Sequence, residues 1–155
     1  SRRQRQMSIR DRMNITKMLA KDGEGATKLL ECTVTGAKDL DTAIIVAKSV
    51  ICSPLFKCAM FGADANWGRI LCAVGYAEAD FDINKVDVSL SSKAGEIHVC
   101  HNGAGIEFSE EVAKTVLLED EITISVSIGD GNGTATAWGC DLTYDYVKIN
   151  GDYRS

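Results

Sequence analysis

Glu24 is the side chain in this sequence whose setting best suits recognition of a charged ligand. It lies in GEGATK, residues 23–28, between two glycines. Glycines leave the backbone around a carboxylate open to close approach, and an ionised carboxylate accepts charge-assisted hydrogen bonds from amines. The segment lacks the GxxxxGK[ST] spacing that cradles phosphates, so no nucleotide loop is predicted. By itself, a glutamate in a turn is interpreted as an ordinary solvated side chain, and amine binding is the alternative.

Two other segments contain residue types that bind metals. Residues 130–135, DGNGTA, begin like a calcium loop, but Ala135 stands where that loop needs glycine and Asp141 where it needs glutamate. His98 and His101 lie three apart on a predicted strand, so we expect their side chains on opposite faces, where they cannot readily share one ion. No metal site is predicted.

The segment DANWGR, residues 64–69, offers a helix cap in Asn66, a packing residue in Trp67 and a cation in Arg69. Structural roles are favoured here over anion binding. No Ser/His/Asp or Cys/His set has a recognisable context. The residues alone therefore support an α+β domain without a defined reaction.

Composition limits the class of protein. The chain has 155 residues, 45% hydrophobic and 25% charged, with one proline and a net charge of −5, which fits a single globular domain or one lobe of a larger protein. Five arginines cluster within residues 2–12, but the rest is acidic, so a nucleic-acid partner is not predicted. No apolar run is long enough for a bilayer, and no signal peptide is recognised, so no membrane partner is predicted. The six cysteines lack metal-ligand spacing and are too sparse for a disulfide scaffold, which favours a reducing cytoplasm.

The elements that must position these residues follow from periodicity and caps. Helices are predicted over 5–21, from Asp39 or Asp41 through Ile51, over 66–76, and from Ser109 through Leu118. Strands are predicted over 27–35, 56–62, 85–92, 96–102, 121–129 and 134–138, with a hairpin between 85–92 and 96–102 and a turn at 129–133. Together with near-helical spacing in the last residues, this gives roughly six strands and five helices in irregular alternation. The predicted fold class is α+β, a mixed sheet with hairpins and packed helices.

The last 14 residues contain an unusual share of large side chains. Leu142, Tyr146, Ile149 and Tyr153 recur at near-helical spacing. We expect these four side chains to anchor the terminus, which otherwise frays.

Three separated motifs together resemble a known enzyme family. DGEGATK at 22–28, SPLFKCAMFGADANWGRILCAVGY at 53–76 and CDLTYDYVKINGDYRS at 140–155 are similar to the glutamate N-acetyltransferase and ornithine acetyltransferase family of arginine biosynthesis. The resemblance runs from about Leu19 onward. It implies an autocatalytically cleaved precursor in which the new N-terminal threonine of the β chain is the nucleophile. Residues 1–155 then form a single α+β unit, the C-terminal part of that β chain, and the nucleophile-bearing region is upstream.

The resemblance also implies the site residues. The glutamate of DGEG falls on Glu24, and the asparagine and the terminal hydroxyl residue of the last hexapeptide fall on Asn150 and Ser155. These three are the expected substrate contacts, and no catalytic residue is expected in this chain. The family commonly reads NADYRT where this chain has NGDYRS, so Ser155 keeps the hydroxyl without the methyl.

The implied reaction is ping-pong transfer of an acetyl group from N-acetylornithine to glutamate through an acetyl-threonine intermediate. No cofactor or metal is implied, although some family members accept acetyl-CoA as a substrate. The implied partners are the α chain and the remainder of the β chain in a hetero-oligomer. The alternative is a noncatalytic amino-acid-binding or assembly lobe.

Overall fold

The computed structural model describes residues 2–153, with side chains from Ser8 onward. The helices are α1 (Arg2–Lys21), α2 (Leu40–Cys52), α3 (Pro54–Phe61), α4 (Trp67–Gly75), α5 (Glu110–Leu117) and α6 (Tyr144–Asp152), with a 3-10 turn at Ile83–Lys85. The strands are β1 (Leu29–Ala37), β2 (Asp87–Ser92), β3 (Gly95–His101), β4 (Ala104–Gly105), β5 (Glu121–Ser127) and β6 (Gly133–Cys140).

The six strands form one sheet in the order β4-β3-β2-β5-β1-β6. β1 and β5 are parallel, and the other neighbouring pairs are antiparallel. The sheet is therefore mixed, with the predicted hairpin at β2 and β3. The predicted α+β class is confirmed.

Apolar and polar side chains alternate along the strands, so one face of the sheet is apolar and buried. Leu30, Cys32 and Val34 of β1, together with Ile124 and Val126 of β5, lie on this face and are buried. Helices α2 and α5 pack directly on it, and α3 and α4 pack against α2. The opposite face is rich in serine and threonine.

Helix α1 covers part of that opposite face. Lys17 Nζ lies 2.9 Å from Glu31 Oε2 and 5.9 Å from the centre of the Trp138 ring. Trp138 Nε1 in turn donates to Glu31 Oε2 at 2.5 Å. These contacts fix α1 across β1 and β6, so the loop that follows α1 starts from a defined place.

Several helix starts follow the predicted caps. Asp39 rather than Asp41 caps α2, accepting from Thr42 N at 2.7 Å, and Asn66 caps α4. Ser109 caps α5 as predicted. Each side chain satisfies an N–H group that the helix leaves unpaired.

One predicted strand is wrong. Residues 56–61 belong to α3, and Gly62 is its C-cap. The helix begins with Pro54 at its first position and with Ser53 as the N-cap, whose side chain accepts from Phe56 N. A short apolar run does not distinguish a buried strand from a buried helix, and the Ser-Pro pair both ends α2 and starts α3. The sheet instead has its sixth strand in β4, which the sequence pattern does not indicate.

Among the described residues, no single helix is long and apolar enough to cross a membrane. Helices α2 and α3 meet that length and composition only when taken together, and they bend by 58° at their junction.

Candidate functional site

The loop from Asp22 to Lys28 connects α1 to β1 and holds Glu24 at the surface. Asp22 N donates to Met18 O at 2.9 Å, and Ala26 N closes a turn by donating to Gly23 O at 2.9 Å. Glu24 is the second of the four residues of this turn.

Two glycines let this loop approach the C-terminal segment closely. Gly25 has a φ of +68°, and a Cβ there would lie 2.7 Å from Tyr146 N. A Cβ at Gly23 would lie 2.6 Å from Cys140 Sγ. The start of α6 therefore contacts the glycine backbone directly. A larger residue at either glycine would have to displace its neighbour.

Thr143 joins α6 to the loop. It caps α6 by accepting from Tyr146 N at 3.2 Å, and its hydroxyl donates to Gly25 O at 2.6 Å. The side chain is buried. One hydroxyl thus starts the helix and binds the loop.

The structure brings together two of the three predicted substrate contacts. Asn150 Nδ2 donates to Glu24 Oε2 at 2.9 Å, although the two residues are 126 positions apart. The same amide nitrogen donates to Tyr146 O at 2.9 Å, which fixes its orientation on α6. Both side chains are exposed. The carboxylate is held in place on one side while remaining open to a ligand.

Ser155, the third predicted contact, lies outside the described residues.

Asp141, just before α6, is bound to the other end of the loop. Its Oδ1 accepts from Thr27 N at 2.8 Å and from Lys28 N at 2.9 Å, and its Oδ2 accepts from the Thr27 hydroxyl. Asp141 is only 2% exposed. From the sequence, Asp141 was interpreted only as a poor calcium ligand. Its partners Thr27 and Lys28 lie more than 110 positions earlier in the chain, so no local pattern indicates this role.

Lys28 is buried and makes no contact suited to a phosphate. Its ammonium donates to Met60 O at 2.6 Å and to Leu117 O at 2.7 Å, at the C-terminal ends of α3 and α5. Burial lowers the pKa of Lys28 below its usual value, while the negative charge of Asp141 acts in the opposite direction. The negative ends of two helix dipoles also favour a cation here. Lys28 therefore has a structural role: it connects the end of the loop to the C-terminal ends of α3 and α5.

The prediction that Leu142, Tyr146, Ile149 and Tyr153 anchor the terminus is wrong for the last three, and Leu142 is partly buried. The last residues do form a helix, but α6 has no buried residue, and Tyr146 and Ile149 are more than 40% exposed and Tyr153 80% exposed. The contacts that hold α6 are the hydrogen bonds of Asp141 and Thr143 and an edge-to-face contact of Tyr144 with Phe61, whose ring centres lie 5.4 Å apart. The large side chains of α6 are left largely on the surface.

The other candidate residues have structural partners of their own. Trp67 packs on Gly105, where a Cβ would lie 2.3 Å from the indole ring. Arg69 Nη1 donates to Leu55 O at 3.0 Å. Asp130, the first residue of the calcium-like segment, pairs with Lys85.

The expectation that His98 and His101 lie on opposite faces is wrong. The register of β2 and β3 shifts after Val88, so Ser89 pairs with His98 and its Oγ lies 2.7 Å from His98 Nδ1, while His101 Nδ1 lies 2.9 Å from Asp87 Oδ1. An extra residue in β3 thus puts both histidines on one face. Among the described side chains, no group of three or more His, Cys, Asp and Glu residues could hold a metal ion.

A family model described as the ArgJ family matches residues 7–155. The chain belongs to the ArgJ family. The resemblance of the three motifs is thereby confirmed.

Relatives in this family are similar over most of the chain. The arginine biosynthesis bifunctional protein ArgJ 1 of Clostridium acetobutylicum is 56% identical over 92% of this chain and 35% of its own length. The glutamate N-acetyltransferase of Methanosarcina mazei is 45% identical over 92% of this chain and 36% of its own length. The chain thus spans about a third of the length of these curated relatives.

A solved structure has the same fold. The crystal structure of the arginine biosynthesis bifunctional protein ArgJ from Bacillus halodurans matches with a TM-score of 0.85 and 48% identity, over 90% of this chain and 64% of that chain. The arrangement of the mixed sheet and its helices is therefore that of the family.

Proposed function

We propose that this chain is the C-terminal part of the β chain of an acetyltransferase that moves an acetyl group from N-acetylornithine to glutamate. Membership of the ArgJ family and relatives named as glutamate N-acetyltransferase and as bifunctional arginine biosynthesis proteins support this proposal. In this role, the chain orients the amino-acid substrates, while the rest of the protein supplies the nucleophile.

The hydrogen bond between Asn150 and Glu24 is the observation that carries the proposal. It joins two of the three motifs into one surface site. Because Asn150 occupies Oε2 only, Oε1 of Glu24 faces no other donor among the described residues and can accept a substrate ammonium. The amide oxygen of Asn150 offers a second, neutral acceptor. Ser155 is the proposed third contact, through its hydroxyl.

The proposed reaction has two acyl-transfer steps. The threonine hydroxyl attacks the acetyl carbonyl of N-acetylornithine while its own α-amine takes the proton. The tetrahedral oxyanion then collapses, the amide C–N bond breaks, and ornithine leaves with the proton on its amine. The amine of glutamate attacks the acetyl-threonine ester, and N-acetylglutamate leaves as the threonine hydroxyl is restored. Hydrogen-bond donors of the upstream region stabilise both oxyanions.

The remaining parts of the proposal concern partners and setting. The α chain and the remainder of the β chain complete a hetero-oligomer in the cytoplasm. Acetyl-CoA is a further candidate donor, and no cofactor, nucleic acid or membrane takes part.

The test is the Glu24→Gln variant of the complete enzyme that contains this chain. Loss of a charge-assisted hydrogen bond is worth about 1.5–3 kcal/mol, so kcat/KM for N-acetylornithine and glutamate is expected to fall about 10- to 150-fold. Self-cleavage is expected to continue, because Glu24 contacts substrate and not the scissile bond. The matched control is Glu96→Gln on the exposed face of β3. Unchanged kinetics in Glu24→Gln would return this residue to an ordinary turn glutamate.

Ser155 has its own test in the same enzyme. Ser155→Ala is expected to reduce transfer, and Ser155→Thr to preserve it, because only the second keeps the hydroxyl. Steady-state transfer rates decide this, and a fully active Ser155→Ala enzyme would remove Ser155 from the site.

The noncatalytic lobe remains the second candidate for the chain by itself. Each threonine in this sequence is internal, whereas the proposed mechanism needs an N-terminal threonine. The 155-residue chain alone is therefore expected to show no transfer from N-acetylornithine to glutamate. Ping-pong turnover by the purified chain would contradict the assignment of the nucleophile to the rest of the protein.

A further inference from the structure

We propose that Asp141 is a positioning residue of this site: its buried carboxylate holds the Asp22–Lys28 loop against α6 and thereby sets the place of Glu24. The inference rests on the proposed function, because Glu24 is taken to bind the amino-acid substrate. Asp141 itself lies beneath the loop and acts through the groups that it binds.

The hydrogen bonds of Asp141 converge on two consecutive residues. The carboxylate accepts three hydrogen bonds from Thr27 and Lys28, and the backbone N–H of Asp141 donates to Lys28 O at 3.3 Å. Leu29 and Cys140 pair in the ladder of β1 and β6 immediately beyond. The backbone of Asp141 therefore extends the pairing of β1 and β6 by one residue. Its carboxylate adds hydrogen bonds to the loop that precedes β1.

The position of Asp141 in the chain makes it a link between both halves of the site. Two residues later, Thr143 caps α6 and binds Gly25 O. The loop is thus held on one side of Glu24 at Gly25 and, further along, at Thr27 and Lys28. Nine residues after Asp141, the helix presents Asn150 to the carboxylate of Glu24.

The rest of the loop provides little that would replace these contacts. Glu24 and Thr27 are exposed, and the loop's own backbone hydrogen bond is the single turn from Ala26 to Gly23. α6 has no buried residue, and its aromatic contact is the edge-to-face pair of Tyr144 with Phe61 at 5.4 Å. Without the carboxylate of Asp141, both the loop and the helix lose their main polar connection near the sheet.

Kinetics of Asp141→Ala in the complete enzyme test this role. A misplacement of about 1 Å can reduce a rate about 100-fold, so we expect kcat/KM for N-acetylornithine to fall about 10- to 100-fold. Acylation by p-nitrophenyl acetate, a donor without an ammonium group, should stay near the wild-type rate because it does not need Glu24. Asp130→Asn, in a surface ion pair with Lys85, is the matched control and should behave as wild type.

A double-mutant cycle separates positioning from general stability. If Asp141 acts through Glu24, the Asp141→Ala/Glu24→Gln enzyme should be no more than about threefold worse than the poorer single variant. Asp141→Asn is expected to rescue most activity, because its amide oxygen can still accept from the N–H groups of Thr27 and Lys28, and its NH₂ can donate to the Thr27 hydroxyl. Thr27→Val, which removes only the hydroxyl contact, should lose about two- to tenfold in kcat/KM for N-acetylornithine and tests the same link if Asp141→Ala does not fold.

The outcomes distinguish this inference from the proposed function. Three results would overturn the positioning role while leaving acetyl transfer intact. The first is wild-type kcat/KM in both Asp141→Ala and Thr27→Val, and the second is a loss of kcat/KM in the double variant equal to the product of the two single losses. The third is an equal fall in the rate of acylation by p-nitrophenyl acetate. An enzyme with no transfer activity in its wild-type form would overturn both.

Discussion

Replacing Gly25 with alanine tests the close approach of the loop to α6 with a single added methyl group. Gly25 has a φ of +68°, and its missing Cβ would lie 2.7 Å from Tyr146 N and 3.0 Å from the carbonyl carbon of Asp145. Both neighbours are backbone atoms at the start of a helix, so neither can move aside as a flexible side chain would. The methyl group must push the loop and α6 apart.

The expected cost has two parts. A non-glycine residue in the left-handed region costs about 1–2 kcal/mol. Ordinary contact begins at 3.4 Å, so α6 must also move by more than half an ångström. From the conformational cost alone, the melting temperature should fall by about 2–8 °C in a protein of this size. The movement should lower kcat/KM for N-acetylornithine about 10-fold or more, because it separates Glu24 from Asn150.

The assay combines melting curves of the 155-residue chain with transfer kinetics of the complete enzyme. The control is Gly151→Ala, since a Cβ at Gly151 meets nothing within 4 Å and the residue lies within α6. Alanine is favoured over glycine in a helix by about 0.8–1 kcal/mol, so this control should melt at the wild-type temperature or slightly above it. The two variants add the same atom at the two ends of the site, and only one should damage it.

A Gly25→Ala protein with wild-type melting temperature and wild-type kcat/KM would refute the reasoning. It would mean that the loop does not rest on α6 as described. A fall in both variants would also count against it, because Gly151 has open space around it.

Other expected outcomes concern residues around the sheet. Lys28→Met should destabilise the chain by about 2–4 kcal/mol in urea unfolding, because two carbonyl groups lose an ammonium donor. Because burial lowers the pKa of Lys28 below 10.5, the unfolded chain binds that proton more tightly; wild-type stability relative to Lys28→Met should therefore rise as the pH increases toward 10.5, and a falling difference would contradict the described burial. Burial raises the pKa of Cys32 to about 12 and that of Cys100 above its usual value, so a thiol reagent at pH 8 should leave both unmodified in the native chain. The same reagent should modify the three exposed cysteines, Cys52, Cys58 and Cys72. Trp138→Phe should cost about 1.5–3 kcal/mol through the lost hydrogen bond to Glu31, and equal urea midpoints for the two proteins would exclude that contribution.

The parts of the fold that follow from local patterns were predictable from the sequence. Alternation in 121–129 identifies β5, and Asp39, Asn66 and Ser109 mark helix starts through their capping chemistry. These signals depend on neighbours within four residues. Long-range pairing has no such signal, so the place of β4 and the register shift beside His98 could not be predicted.

The candidate site shows the same division. Glu24, Asn150 and Ser155 were predicted through resemblance, and the structure places the first two in contact. The roles of Asp141 and Thr143 depend on a loop more than 110 residues away, which no local pattern identifies. The tyrosines of α6 misled the prediction, because spacing shows which residues share a helical face but not whether anything covers that face.

The position of β1 between β5 and β6 has a consequence for synthesis on the ribosome. β1 ends at Ala37, whereas its two neighbours in the sheet begin at Glu121 and Gly133. Both of its edges therefore stay unpaired until these later strands have been synthesised. At about 5–20 residues per second, the first of these partners emerges roughly 4 to 17 seconds after β1 is made. During that interval a strand with buried-type side chains has neither neighbour, and this is the kind of exposed edge that pairs with other chains. Nascent chains arrested before residue 121 should therefore engage chaperones through Leu29–Ala37, and release of the last strands should end that association.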